Sequence, residues 1–152
     1  MSIGGAEGSP FQRLLVGVDG SEHGLHAARV AARLARALNA RLMLLTVYHA
    51  PSAAFGEPNY STALAHALDE TRHTLERASQ VVREAGGPEP ETEALAGPAA
   101  ETIVSAAREG GYDLIVVGTR GRGRLEAALL GSVSGAVAAH AGRPVLVVGD
   151  SA

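Results

Sequence analysis

The segment VGTRGRGRLEAALLGSV, residues 117–133, places four glycines and three arginines between an apolar run and the start of a helix-like segment. Glycines let main-chain N–H groups turn toward an anion, and a helix that begins near Ser132 adds partial positive charge there. These features favour a phosphate-binding loop, and a surface loop with glycine hinges is the alternative. The candidate phosphate ligands are Gly118, Gly121, Gly131 and Ser132.

The arginines of this loop bear on whether it binds phosphate, as in a Walker loop, or DNA. Arg120 and Arg122 are further candidates for phosphate contacts, and spacing alone leaves open whether they face ligand or solvent. A Walker loop is excluded, because all 13 basic side chains are arginine and the Walker motif needs a lysine. A DNA minor-groove hook is disfavoured, since Leu125 occupies the place of the flanking proline and the net charge is −3. We therefore expect no nucleic-acid partner.

Asp19 is the candidate carboxylate, because it directly follows the apolar run of residues 14–18. A carboxylate there can accept hydrogen bonds from ribose hydroxyls or base nitrogens, or contact a metal ion indirectly. The alternative is a turn residue that ends a strand together with Gly20. No second acid or base is evident beside it, so we assign no catalytic residue. The six histidines have no acidic or cysteine partner at metal-ligand spacing, so no metal site made by the protein alone is predicted.

The elements that must position these residues alternate along the chain. Apolar runs predict strands at residues 14–18, 42–47, 91–95, 114–117 and 144–148. Helical periodicity predicts helices over 21–38, from a cap at Ser61 or Thr62 to a stop at Gly86, from Pro98 through Ala107, and over 132–141. In the second helix, Leu64, Leu68, Leu75 and Val82 form the expected buried stripe, and the polar strand 91–95 is expected near a sheet edge. This order predicts an α/β fold: an open, five-stranded parallel sheet, doubly wound, with helices on both faces.

Ligands of such sheets bind beyond the carboxyl ends of the strands, where the strand order reverses. We therefore expect Asp19 and the glycine-rich loop to meet at one site. The 152 residues predict a flexible N-terminal tail, residues 1–10, and a single domain, residues 11–152. The first ten residues are unlike a signal peptide and no apolar run approaches about 20 residues, so a cytoplasmic protein with no membrane partner is expected.

The chain resembles the universal stress protein family from about Phe11 to Gly149. Residues 15–21, LVGVDGS, are similar to the opening strand and turn of that family, and PVLVV at 144–148 is similar to its last strand. The nucleotide signature of the family is Gly, two residues, Gly, nine residues, then Gly and Ser or Thr. Gly118, Gly121, Gly131 and Ser132 keep every spacing of that signature.

The resemblance implies a binding site and an assembly. Members with the intact signature bind ATP or a related adenine nucleotide, so Asp19 and the backbone around Val47 would contact adenosine. The signature residues would hold the phosphates, accompanied by Mg²⁺ or Mn²⁺. Further candidate contacts are Gly17, Val18, Gly97, Val133 and Ser134. The family pairs through its last strand, which implies a homodimer through Pro144-Val145-Leu146-Val147-Val148.

The leading hypothesis is an adenine-nucleotide-binding regulatory protein of the stress response, with ATP as the first candidate ligand. Slow ATP hydrolysis is a second hypothesis, although Asp19 is the only evident carboxylate of the site. A cyclic-nucleotide-binding protein and a ligand-free scaffold dimer are two further hypotheses. Glu126 places an acidic residue between Gly121 and Gly131, where phosphates would bind.

Overall fold

The computed structural model describes residues 9–119 and 130–149. The strands are β1 (Arg13–Gly17), β2 (Arg41–Tyr48), β3 (Glu91–Ala96), β4 (Leu114–Gly118) and β5 (Val145–Val148). The helices are α1 (Glu22–Leu38), α2 (Asn59–Glu84), α3 (Ala99–Gly110) and α4 (Ser132–His140), with a short 3-10 turn at Ala53–Phe55. The strands form one parallel sheet in the order β3-β2-β1-β4-β5. The predicted fold class and the edge position of the third strand are confirmed.

Apolar side chains fill both faces of the sheet. Strand residues alternate between the faces, so Leu14 and Val16 of β1 pack beneath α1 and α2, whereas Leu15 packs with Ile115 against α3 and α4. Continuous apolar runs in β1, β2 and β4 are therefore what a central parallel sheet requires. The polar strand β3 can lie at the edge, because one of its sides has no neighbouring strand among the described residues.

Helix α1 is fixed at its start and along its buried face. Ser21 is its N-cap, and its hydroxyl oxygen accepts the Gly24 N–H at 3.1 Å. Its buried face is mostly alanine, which lets the helix backbone approach the sheet closely. The helix ends at Asn39, which has a left-handed backbone conformation with φ of 55°.

Helix α2 begins earlier than predicted, and its start is capped differently. It starts at Asn59, and neither Ser61 nor Thr62 is its N-cap. The Ser61 N–H and hydroxyl both donate to the Glu57 carboxylate, with the N–H bond at 3.1 Å. A carboxylate in the preceding loop thus takes the role that the sequence assigned to a hydroxyl within the helix.

The buried part of α2 is shorter than the predicted stripe. Leu68 is 41% exposed, so its assignment to the core is wrong, while Val82 is fully buried as predicted. The other buried positions are Thr71, Ala78 and Ser79. Leu68 lies three residues before Thr71 on the same side of the helix, but every buried position of α2 lies from Thr71 onward, so the earlier part of the helix is less covered.

The strand order reverses next to β1. The chain runs from β1 outward through β2 to β3, then returns to place β4 on the other side of β1. The carboxyl ends of β1 and β4 therefore open a crevice between connections that leave in opposite directions. No helix in the described ranges is long and apolar enough to cross a membrane.

Candidate functional site

A cavity of about 620 Å³ lies at this switch point. Its walls come from the carboxyl ends of β1, β2 and β4, the first turn of α4, the start of α3 and one side of α2. The volume falls within the roughly 300–1,000 Å³ typical of small-molecule sites. Residues from distant parts of the sequence therefore meet at one ligand-sized space.

Most of the predicted site residues that the structure describes line this cavity. They are Gly17, Val18, Asp19, Val47, Gly118, Gly131, Ser132 and Val133. Gly97 and Ser134 are not in its wall, whereas Gly121, Arg120 and Arg122 lie outside the described residues, as does Glu126. The structure thus brings the turn after β1 and the start of α4 together, and ligand binding by these residues stays a prediction.

Asp19 holds the turn between β1 and α1 and also lines the cavity. Its Oδ1 accepts the Ser21 N–H at 2.9 Å and the Ser21 hydroxyl. Gly20 permits the turn with φ of +85°, a conformation that favours glycine. The two roles weighed for Asp19 are compatible, because the same exposed carboxylate orders the N-cap of α1 and borders the cavity.

Gly118 is required by packing at the end of β4. A Cβ atom there would lie 2.8 Å from the His23 carbonyl oxygen and 3.0 Å from the His23 Cβ. The first turn of α1 therefore sits directly on β4 at this point, and any side chain would displace backbone. The sequence suggested only that Gly118 leaves room for a phosphate, so this second requirement was missed.

The start of α4 offers main-chain donors to the cavity. Its N-cap is Gly131, which has no side chain to accept the N–H groups of the first helical turn. Ser132 and Val133 belong to that turn and line the cavity, where an anion would satisfy such donors and the helix dipole. This end of the cavity is therefore suited to negative charge.

Ser134 supports the start of α4 from behind. It is 3% exposed, and its hydroxyl donates to the Thr119 carbonyl oxygen at 2.8 Å. The Gly131 N–H also donates to that carbonyl. The hydroxyl ties α4 to the end of β4 and does not line the cavity, and a ligand contact of Ser134 stays a prediction.

Gly97 likewise acts away from the cavity wall. It follows β3, has φ of +145°, and donates its N–H to the Tyr48 carbonyl oxygen at 3.0 Å. The bond extends the pairing of β2 and β3 and leaves Gly97 in the turn before α3. A glycine is needed there for backbone conformation.

Sequence reasoning missed the wall that α2 supplies. Ala67, Glu70, Thr71 and Thr74 line the cavity with helical spacing. The Thr71 hydroxyl donates to the Leu68 carbonyl oxygen at 2.7 Å. The available signal was the set of polar residues spaced three and four apart inside a helix, but only tertiary packing shows what that set faces.

The charged side chains in the described part of the cavity wall are the carboxylates of Asp19 and Glu70. No group of three or more histidine and carboxylate side chains within residues 9–119 and 130–149 is arranged to hold a metal ion.

Comparison with known proteins agrees with the geometry. The model of the universal stress protein family matches residues 10–149. A universal stress protein of Thermus aquaticus is 40% identical over 142 residues, which cover 91% of this chain and 98% of that one.

Two solved structures extend the agreement to three dimensions. A universal stress protein in complex with cAMP is 31% identical with a TM-score of 0.70, and the match covers 92% of this chain and 98% of that one. Universal stress protein UspA from Lactobacillus plantarum is 26% identical with a TM-score of 0.81, over 92% and 99% of the two chains. The chain belongs to the universal stress protein family.

Proposed function

We propose that this protein binds an adenine nucleotide, ATP first among them, and acts in the cytoplasm as a homodimeric regulatory protein of the stress response. The observation that carries the proposal is the cavity at the switch point, where the Asp19 turn, the end of β2 and the first turn of α4 converge. A relative of 31% identity has been solved with cAMP, which supports an adenine nucleotide as the ligand class.

The charges and donors of the cavity suggest how the nucleotide is held. Its phosphates bind at the first turn of α4, where Ser132 and Val133 present main-chain donors and Gly131 begins the turn without a side chain. The adenosine extends past Asp19 toward Val47 at the end of β2. Gly121, Arg120 and Arg122 are proposed to complete the phosphate site. Mg²⁺ or Mn²⁺ would be held mainly by phosphate oxygens, since the described residues contain no cluster of three ligands.

Ser132→Asp tests the phosphate contact without weakening the helix. An acidic residue in the first turn stabilises a helix through its dipole, so the variant should keep or raise its melting temperature. The same carboxylate would repel phosphates, and we expect calorimetry to show ATP affinity reduced by at least about tenfold. Adenosine, which has no phosphate, should bind wild type and variant alike.

Ser132→Asn is the matched control, because it has nearly the same size and no charge. We expect it to retain most of the ATP affinity. Equal ATP affinity in wild type and Ser132→Asp would contradict the binding of the phosphates at α4. The absence of binding of ATP, AMP and cAMP to the wild type would refute the proposed function.

The proposed dimer uses the outer edge of β5. The carbonyl oxygens of Pro144 and Val148 accept hydrogen bonds from Ile115 and Thr119 of the β4 side. Since main-chain groups alternate in direction along a strand, those of Val145 and Val147 point to the edge that has no strand partner among the described residues. An apolar edge strand of this kind favours pairing with a second copy.

Val147→Pro removes an outward N–H group and leaves the bonds to β4 in place. We expect light scattering to report a dimer for wild type and for the Val147→Thr control, which keeps the N–H, and a monomer for the proline variant. A dimer that survives in Val147→Pro with unchanged affinity would place the interface elsewhere.

A further inference from the structure

The two ends of the cavity differ in chemistry. The first turn of α4 lies at the end of β4, whereas α2 packs on β2 and β3. β1 separates β2 from β4, so the two walls are about 10 Å apart along the sheet, two strand spacings. One end presents helix N–H donors, and the other presents the α2 side chains Glu70, Thr71 and Thr74.

This polarity orients a nucleotide, if the proposed function holds. Phosphates bind the α4 end because N–H donors and the positive end of the dipole favour anions. The carboxylate of Glu70 disfavours phosphates at the α2 end through charge repulsion. The base therefore extends toward β2 and α2.

Glu70 lies on the exposed part of that wall, with 64% of its side chain exposed. Its Oε1 lies 3.3 Å from Nε2 of His66, one helical turn earlier. An ionised carboxylate can only accept hydrogen bonds. Of the neighbouring hydroxyls, that of Thr71 already donates to the Leu68 carbonyl oxygen. Glu70 therefore adds a hydrogen-bond acceptor to the base end of the cavity.

We infer that Glu70 selects the purine base by the group at its position 6. The carboxylate accepts a hydrogen bond from the 6-amino group of adenine, and it repels the 6-oxo group of hypoxanthine and guanine. This assigns a specificity-determining role to α2, whereas Gly131, Ser132 and Val133 of the phosphate end do not distinguish between bases. The chemical class selected is a 6-aminopurine nucleotide.

Glu70→Gln tests the assignment, because a carboxamide can turn either its oxygen or its amino group toward the ligand. Calorimetry with ATP and ITP gives the ratio of the two affinities. We expect wild type to prefer ATP by about fivefold, the value of one partly exposed hydrogen bond, and Glu70→Gln to bring the ratio close to one. The loss of preference should come mainly from tighter ITP binding.

Glu76→Gln is the matched control, since Glu76 is an exposed residue of the same helix and does not line this cavity. It should keep the wild-type ratio. An unchanged ratio in Glu70→Gln, or a wild type that binds GTP as tightly as ATP, would overturn the role of Glu70 while leaving nucleotide binding intact. A wild type that binds only AMP or cAMP is tested by the same variants with IMP or cyclic IMP in place of ITP, and a wild type that binds none of these nucleotides would overturn the proposed function itself.

Discussion

The parallel strands all begin at one edge of the sheet and all end at the opposite edge, and polar side chains have different roles at these two edges. At the edge where the strands begin, the Asp113 Oδ2 accepts the N–H groups of Gln12 and Arg13, each at 2.8 Å. These residues are 100 or more positions apart in the chain, so the carboxylate joins the start of β4 to the start of β1. The side chain acts as a structural clamp.

Two arginines complete that edge. The Arg13 guanidinium donates to the Gly110 carbonyl oxygen and lies 4.6 Å from the centre of the Tyr112 ring. Arg143 Nη1 donates to the carbonyl oxygens of Ala107 and Tyr112 at 3.1 and 2.9 Å. Their charges are directed to main-chain groups at the end of α3 and the loop that follows.

At the edge where the strands end, the polar groups border a cavity instead. Asp19 and Ser132 are exposed there, and Gly131 leaves helix donors without a capping side chain. A charged residue at a strand end is therefore not by itself evidence of a binding site. What distinguishes the two edges is whether other elements close over the polar groups.

Asp113→Ala should have the largest effect on stability and no effect on ligand affinity. Removal of the charged acceptor breaks its bonds to the partly buried N–H of Arg13 and the exposed N–H of Gln12, so we expect the free energy of unfolding to fall by about 2.5 kcal/mol. Denaturant unfolding measures the loss, and calorimetry should show ATP affinity within twofold of wild type.

Asp113→Asn is the control for this prediction. Both N–H groups donate to one oxygen, and the asparagine carbonyl can replace it, so its loss should be less than half as large. A change in ATP affinity in Asp113→Ala would contradict the separation of the two edges.

Gly118→Ala should have the next largest effect on stability, at the edge where the strands end. The added Cβ would lie 2.8 Å from the His23 carbonyl oxygen, so α1 must shift and stability should fall by about 2 kcal/mol without any ligand. Thermal and denaturant unfolding of the ligand-free protein measure it.

Gly135→Ala gives the matched comparison, since within the described ranges its Cβ would meet only the Leu130 Cβ, at 3.9 Å. Inside α4 this change should stabilise the protein by up to about 1 kcal/mol, because alanine favours helix. A Gly118→Ala variant as stable as wild type would show that this glycine is needed for ligand approach alone.

Local patterns predicted most of the fold. The apolar run of residues 114–117 became β4 almost to the residue, since a strand buried on both faces has no other good conformation. The start of α2 was harder, because its cap comes from Glu57 in the preceding loop, whose conformation no periodicity encodes. The exposed Leu68 shows the same limit, since how much of a helix is covered depends on its neighbours.

The candidate site was predictable in its loops and unpredictable in its walls. Asp19 and Gly131 were found because turns and helix starts have local signals, and strand order then brings them together. Glu70 was missed because α2 reaches the cavity by packing across β2, far along the chain from Asp19. The close approach of Gly118 and His23 also depends on tertiary packing, so no local pattern predicts it.

Arg83→Gln should have the smallest effect, and it tests charges that belong to neither edge. The hydrogen bond from the Arg83 guanidinium, at 2.6 Å from Glu89 Oε1, lowers the pKa of the Glu89 carboxyl below its ordinary value. Since the folded pKa is the lower one, the pair stabilises the fold at pH values above the unfolded pKa and loses that contribution as pH falls through the folded pKa.

Both side chains of this pair are more than half exposed, so solvent screens the interaction. We expect Arg83→Gln to return the Glu89 pKa toward its ordinary value in an NMR titration, with a barely measurable change in melting temperature at neutral pH. The small difference from wild type should vanish in acid. A loss comparable to that of Asp113→Ala would mean that exposure does not separate structural charges from surface ones, and the contrast between the two edges would then need another cause.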